Sequence, residues 1–229
     1  MKAEYISSMG TDLTVVNAAR VSFDNESDYE YNPIGDDGWE GFISERDVKL
    51  IKYLAKHKHF TPFTHPQITM RYTVPIFVAR QEFKHIVGFT RNEVSRRYVD
   101  DTPEFYVPEV WRSRPEGSVK QGSGGTIIDS YATHPKTWGV KNDYDVLIRY
   151  SLATYKHLLR QGVAPEQARM VLPQSMYTSY YITGSLAAFA RMVKQRSDPH
   201  AQVEIQELAK MVSEVIDPLF PVSWAALVG

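Results

Sequence analysis

Between Arg80 and Tyr98 the chain reads Arg-Gln-Glu-Phe-Lys-His-Ile-Val-Gly-Phe-Thr-Arg-Asn-Glu-Val-Ser-Arg-Arg-Tyr, with almost no filler between groups able to hold a ligand. The cations Arg80, Lys84, Arg91, Arg96 and Arg97 suit phosphate oxygens. Gln81, Asn92 and Glu93 carry the donors and acceptors that distinguish one ring edge from another. A segment that bound phosphate alone would need only the cations, and one that packed would need apolar residues. This mixture suits a planar, polar, anionic molecule, and Gly88 permits a sharp bend within it.

Other residues invite chemistry less directly. In His57-Lys-His-Phe-Thr-Pro-Phe-Thr-His65, three histidines could converge on a metal. No carboxylate lies close by, so a helix C-terminus favouring positive charge beside an ordinary turn is the preferred reading, with no metal. Arg169 falls in a short segment read as otherwise apolar, where a buried guanidinium needs an anionic partner, either a protein carboxylate or a ligand. Ser95 has no His-Asp pair set beside it in sequence to make it a nucleophile.

The elements that must position these groups can be read from period and punctuation. Lys2 to Ile6 reads as a strand and Asp12 to Arg20 as a helix, and the acidic, Gly- and Pro-containing stretch Asp24 to Gly41 reads as a loop. Ser44 starts a helix with Asp47 three residues on and apolar positions at Val48, Ile51, Leu54 and Ala55. Gln67 to Val74 alternates as a strand, and Pro75 opens a helix from Ile76 to about Val87 that would place Gln81, Lys84 and His85 on one face. Phe105 to Val107 reads as a strand, and Pro108 to Trp138 as a Gly-, Ser- and Pro-rich excursion. Tyr144 to Gln161 is helical with Leu147, Tyr150 and Leu158 inward, closed by Gly162. A short helix from Pro165, a strand over Met176 to Thr183, a helix Leu186 to Gln195 capped by Gly184-Ser185, and a last helix from Asp198 to before Pro218 complete the chain. Strands and helices intermix without βαβ alternation, so the class is α+β in a single domain spanning 1–229, with a helix and antiparallel-sheet core. No Gly-x-Gly-x-x-Gly turn suggests a Rossmann site.

Bulk properties limit the function. A length of 229 residues with 43% hydrophobic and 12% aromatic residues is enough for a real core. A net charge of -1 argues against a general nucleic-acid surface, so any basic site is local. The absence of a long apolar run or a basic-then-apolar start argues against membrane and secretion, leaving the cytoplasm as the expected location. There is no cysteine, which excludes disulfides, thiolate metal sites and thiolate nucleophiles.

The basic stretch resembles the signature of the flavin-dependent thymidylate synthases, an Arg-His-Arg triplet followed by Ser-x-Arg. Lys84-His85-Ile86 stands against the triplet and Ser95-Arg96-Arg97 against the Ser-x-Arg. The first cation is Lys, the third is missing at Ile86, and the spacer is one residue longer. Ala18 to Phe23, His59 to Tyr98, Glu166 to Pro173 and Asp198 to Gln202 are similar to further family segments in the same order. The resemblance implies reductive methylation of dUMP to dTMP, with methylenetetrahydrofolate as carbon donor, FAD as hydride carrier and NADPH as reductant. It also implies a homotetramer with sites at subunit junctions. Without a cysteine, this chain would have to make thymidylate by a route that forms no thiolate adduct at uracil C6.

By position the resemblance assigns dUMP contacts to Gln81, Lys84, Glu93 and Ser95, and to Arg96, Arg97, Arg169 and Arg196. Arg196 takes the ring-activating, catalytic place, because a fixed guanidinium stabilises charge on the uracil ring. Flavin contacts fall on Ser22, His59, Thr61, Lys84 and His85, and on Glu93, Ser185, Arg191 and His200. The family has Asn and Arg near the positions of Ser185 and Ala187. Arg91, inside the lengthened spacer, is the expected replacement for the cation missing at Ile86. Two other classes are consistent with parts of the chain. A metal-dependent nucleotide hydrolase would use His57, His59 and His65, and a non-catalytic nucleotide- or RNA-binding protein would use the basic stretch alone.

Overall fold

The computed structural model describes residues 1–34, 38–99, 101–114, 123–124 and 140–229. The expected excursion over 108–138 lies mostly outside them. In chain order the elements are β1 (Lys2–Met9), α1 (Asp12–Arg20), β2 (Glu30–Ile34), β3 (Gly38–Phe42), α2 (Glu45–Lys56), β4 (Gln67–Pro75), α3 (Ile76–Glu82) and β5 (Phe89–Glu93). Then follow α4 (Val140–Arg160), α5 (Pro165–Ala168), β6 (Tyr177–Ser185), α6 (Leu186–Arg196), α7 (Val203–Ile216) and α8 (Pro221–Val228).

Four strands form one antiparallel sheet in the order β1-β4-β6-β5, and β2 and β3 form a separate ribbon. In β4 the alternation does what a half-buried strand requires: Ile68, Met70, Tyr72 and Val74 are buried while Arg71 faces out. The partner strand β6 repeats this pattern with Thr178, Tyr180 and Ile182 inside. Both central strands pass straight into a helix. Pro75 suits the start of α3, where no backbone N–H is needed, and the Ser185 hydroxyl accepts from Ala188 N–H at 3.2 Å to cap α6. The core joins the buried side of the sheet to Val15 and Val16 of α1, Ile51 of α2, Phe189 of α6, Leu208 of α7 and Trp224 of α8. The start of α8 is capped from a distance. Both oxygens of Asp12 accept from it, from the N–H groups of Val222 and Ser223 at 2.9 Å each.

Several expectations need correcting. The stretch 24–41 is not all loop: β2 and β3 pair within it, and β2 is exposed on both faces, so no apolar period marks it. The helix from Ile76 stops at Glu82 because the chain turns through Gly88, at φ 80°, into β5, a strand that the sequence reading missed. Phe105 makes only a single bridge, to Met176. Leu147 and Tyr150 are 54% and 73% exposed, and Ser151 and Tyr155 take the inward positions of α4. The last long helix begins at Val203 rather than Asp198, and α8 was not foreseen. Among the described residues no helix is long and apolar enough to cross a membrane.

Candidate active site

The turn between α3 and β5 is built on a buried charge. Glu82 is fully buried, and Arg91, on the edge strand β5, reaches in to it with Nη2 at 2.5 Å from Oε1 and Nε at 2.9 Å from Oε2. The Tyr180 hydroxyl donates to Glu82 at 3.1 Å, and Arg91 also donates to the His85 carbonyl at 2.6 Å. The guanidinium lies 5.4 Å and 5.0 Å from the Phe83 and Phe89 ring centres. Burial pushes the Glu82 carboxyl above its ordinary range, while Arg91 and the Tyr180 hydroxyl oppose the shift. Arg91 is therefore committed to the interior. In this structure the guanidinium expected to replace the cation missing at Ile86 is turned inward to Glu82, and Ile86 itself is 73% exposed.

The same turn presents His85 to α6. Arg196, in the last turn of α6, donates from Nε to His85 Nε2 at 2.9 Å and from Nη2 to the Gln81 carbonyl at 2.9 Å. Nε2 must be unprotonated to accept. Burial, followed by the cations Arg196, Arg191 and Arg91, lowers the His85 pKa to about 4, so the ring is neutral at physiological pH. A neutral histidine and a backbone carbonyl thus fix the guanidinium without neutralising it. Gln81 reaches further along, donating to Gln202 at 2.6 Å. The expected shared face of Gln81, Lys84 and His85 does not form, because the helix has ended: His85 turns inward and Lys84 stays exposed.

Two cavities flank this region. One, of about 450 Å³, is lined by Arg80 of α3, Phe83 just beyond its end, Glu93 of β5, Arg96, Arg169 and Thr178 of β6, among others. Thr178 donates to Glu93 Oε1 at 2.6 Å, which sets the direction of that carboxylate. Arg96 pairs with Asp101 at 2.6 Å. Arg169 is exposed, not buried as its apolar surroundings suggested, and its Nε donates to the Glu166 carbonyl at 3.3 Å. This arrangement combines three guanidinium groups, one oriented carboxylate and an apolar wall, so it can grip an anionic group while presenting an acceptor to a ring edge.

The second cavity, of about 510 Å³, has a floor of Ala187, Ala190 and Leu227 and is flanked by Lys58, Ser185, Arg191 and Lys194. An apolar floor under cations fits an extended aromatic molecule with phosphates, so the residues present fit a flavin dinucleotide.

Of the sequence-assigned residues, the first cavity gathers Glu93, Arg96 and Arg169, and the second gathers Ser185 and Arg191. Gln81, His85 and Arg196 form their own cluster in neither lining. Ser95 accepts from the Arg97 N–H at 3.3 Å, and Arg97 lies over the Tyr98 ring. Ser22, His59, Thr61 and His200 are exposed outside both linings, His200 bonded to Asp198 at 3.0 Å. His57 and His59 gather around the Tyr53 ring instead of converging with His65, and among the described residues no three His, Cys, Asp or Glu groups could hold a metal. Thr178, Phe83, Lys58 and Lys194 were missed. Thr178 shared the inward alternation of β6, a signal that could have found it; the two lysines carried none.

Residues 4–222 match the family model described as Thymidylate synthase complementing protein. The flavin-dependent thymidylate synthase of Thermus thermophilus is 35% identical over 222 residues, covering 96% of this chain and 73% of that protein. The flavin-dependent thymidylate synthase of Thermotoga neapolitana is also 35% identical, over 98% of this chain and 89% of its own. The crystal structure of a UMP/dUMP methylase, PolB from Streptomyces cacaoi, bound with 5-Br UMP, superposes with a TM-score of 0.78 at 28% identity, covering 99% of this chain and 93% of that one. With a family model spanning nearly its whole length and relatives 35% identical over 96–98% of it, the chain belongs to the flavin-dependent thymidylate synthases.

Proposed function

We propose that this chain catalyses the reductive methylation of dUMP to dTMP, and that the cavity joining Arg80, Arg96 and Arg169 to the Glu93–Thr178 pair receives the nucleotide. That combination is the observation that carries the reading, because an anion grip and an oriented acceptor over an apolar wall match a nucleoside monophosphate. The three guanidinium groups bind the phosphate, and Glu93 accepts from the polar part of the nucleotide. Uracil C5 becomes nucleophilic only when negative charge builds on the ring. Arg196, held by His85 and the Gln81 carbonyl, supplies a permanent positive charge at N3 and the flanking carbonyls. The chain's lack of cysteine is consistent with a route that needs no thiolate. When bound and reduced by NADPH, FAD would supply the hydride, while methylenetetrahydrofolate gives the carbon and leaves as tetrahydrofolate.

The active form in this proposal is a homotetramer. Two features support it: Arg196 lines neither cavity, so partner copies would complete the site, and Val146, Leu147 and Tyr150 of α4 leave apolar surface open with Met170. The test is the visible spectrum of the purified protein, followed anaerobically on adding NADPH and then dUMP with methylenetetrahydrofolate. Bleaching, recovery and dTMP formation are expected. A colourless protein that takes up no FAD would refute the reading.

A further inference from the structure

The family triplet ends here in Ile86, and Arg91, the cation next along the sequence, is bound into the interior by Glu82. A dinucleotide still brings two phosphates that need positive charge. The cavity of about 510 Å³ has three cations on its walls, Lys58, Arg191 and Lys194, and no carboxylate among its described lining residues. Arg191 is partly engaged, donating to the Val87 carbonyl.

Lys58 stands at a position where chemistry and local backbone preference disagree. It follows the end of α2, where the His59 N–H bonds to the Leu54 carbonyl at 2.9 Å and the Lys58 N–H to the Ala55 carbonyl at 3.1 Å. This is a Schellman closure, and its left-handed residue is usually glycine. Here that residue is a lysine at φ 60°. A side chain held in this conformation where glycine would fit without strain points to a use for that side chain. The lysine lines the cavity from α2's end, and Arg191 and Lys194 line it from α6.

We propose that Lys58 and Lys194, with Arg191, hold the phosphates of the flavin dinucleotide and supply the charge that Ile86 does not. The inference rests on the flavin-dependent reading above and deepens it. It assigns the phosphate-bearing part of the cofactor to the α2 closure and α6 rather than to the triplet turn.

The experiment compares the binding of FAD and of riboflavin, which lacks phosphate, by flavin fluorescence titration at low and high salt. The proteins are the full-length wild type and the variants Lys58→Gly, Lys58→Arg and Lys194→Met. Lys58→Gly removes the ammonium while relieving the left-handed strain, so loss of fold does not confuse its result. The expected result is an FAD affinity reduced on the order of tenfold in Lys58→Gly and in Lys194→Met, with a weaker salt dependence and riboflavin affinity unchanged. Lys58→Arg should retain most of the FAD affinity. Unchanged FAD binding in Lys58→Gly, or a parallel loss of riboflavin, would overturn the assignment while leaving the flavin reading intact. A wild-type protein that binds neither flavin would overturn both.

Discussion

Replacing Arg91 by alanine would leave Glu82 fully buried and without its countercharge. Two of the three side-chain hydrogen bonds on that carboxylate come from the guanidinium, and the third from the Tyr180 hydroxyl. Removing one partner of a buried ion pair typically destabilises by about 3–5 kcal/mol. The Arg91 side chain is 14% exposed, which argues for the lower end, about 3 kcal/mol. In a chain of this length each kcal/mol moves the midpoint by about 2–4 °C, so a fall of about 6–12 °C is expected. The loss should depend on pH. Glu82 already has a raised pKa, and without the cation it rises further. A carboxyl whose folded pKa lies above its unfolded value favours the fold more as pH falls, so Arg91→Ala should be less damaging at pH 5 than at pH 8. A double variant, Glu82→Gln with Arg91→Met, removes both charges and should recover most of the stability. Thermal unfolding by circular dichroism at both pH values measures these differences, with an FAD titration alongside. A midpoint shift under about 2 °C, equivalent to less than about 1 kcal/mol, would refute the buried-pair argument. So would an unchanged midpoint with flavin affinity lost, which would place Arg91 at the cofactor after all.

Other outcomes follow from single contacts. A Cβ on Gly184 would lie 2.3 Å from Phe89 Cδ1, so Gly184→Ala should destabilise by about 1–3 kcal/mol in urea titrations, with Phe89→Ala partly rescuing it. Asp12→Ala uncaps α8 and should cost about 1–2 kcal/mol, with faster amide exchange at Val222 and Ser223. His85 is held below its ordinary 6.5 at about 4, so its contribution to stability is complete above pH 6.5 and disappears as pH falls to about 4. The urea midpoint of the wild type should therefore fall more between pH 7.5 and 5 than that of His85→Gln. Arg169→Ala should weaken dUMP binding on the order of tenfold in calorimetry with the melting temperature nearly unchanged, because Arg169 is exposed and its side chain donates to the backbone carbonyl of Glu166 in the preceding α5.

What could be read from the sequence was what a short window carries. The alternation of β4 and the Ser44 cap of α2, where the hydroxyl accepts from Asp47 N–H at 3.2 Å, both appear in the structure as read. What failed depended on distant partners. β5 is a strand because β6 offers it an edge, and the turn from α3 into β5 depends on Arg91 reaching Glu82, nine residues away. Both events lie outside any local period. The face of α4 was misjudged for the same reason, since a helix with two apolar stripes does not say which one meets the core. At the site, residue types indicated the ligand class, but the grouping of Arg80 with Arg169 and Thr178 required the fold. Lys58 was unreadable because its role depends on a backbone angle where glycine is usual.

The order of strands in the sheet also constrains how the chain assembles. Thr69 and Thr183, hydrogen-bonded across β4 and β6 at 2.9 Å, are 114 residues apart. β5 is made soon after β4, yet in the finished sheet β6 lies between them. During synthesis β4 and β5 are thus both available from the completion of Glu93 until their shared neighbour begins to emerge at Tyr177. Premature pairing of these two edges would have to be undone before β6 could enter. Non-local pairing of this kind makes folding slow and leaves strand edges open in the nascent chain.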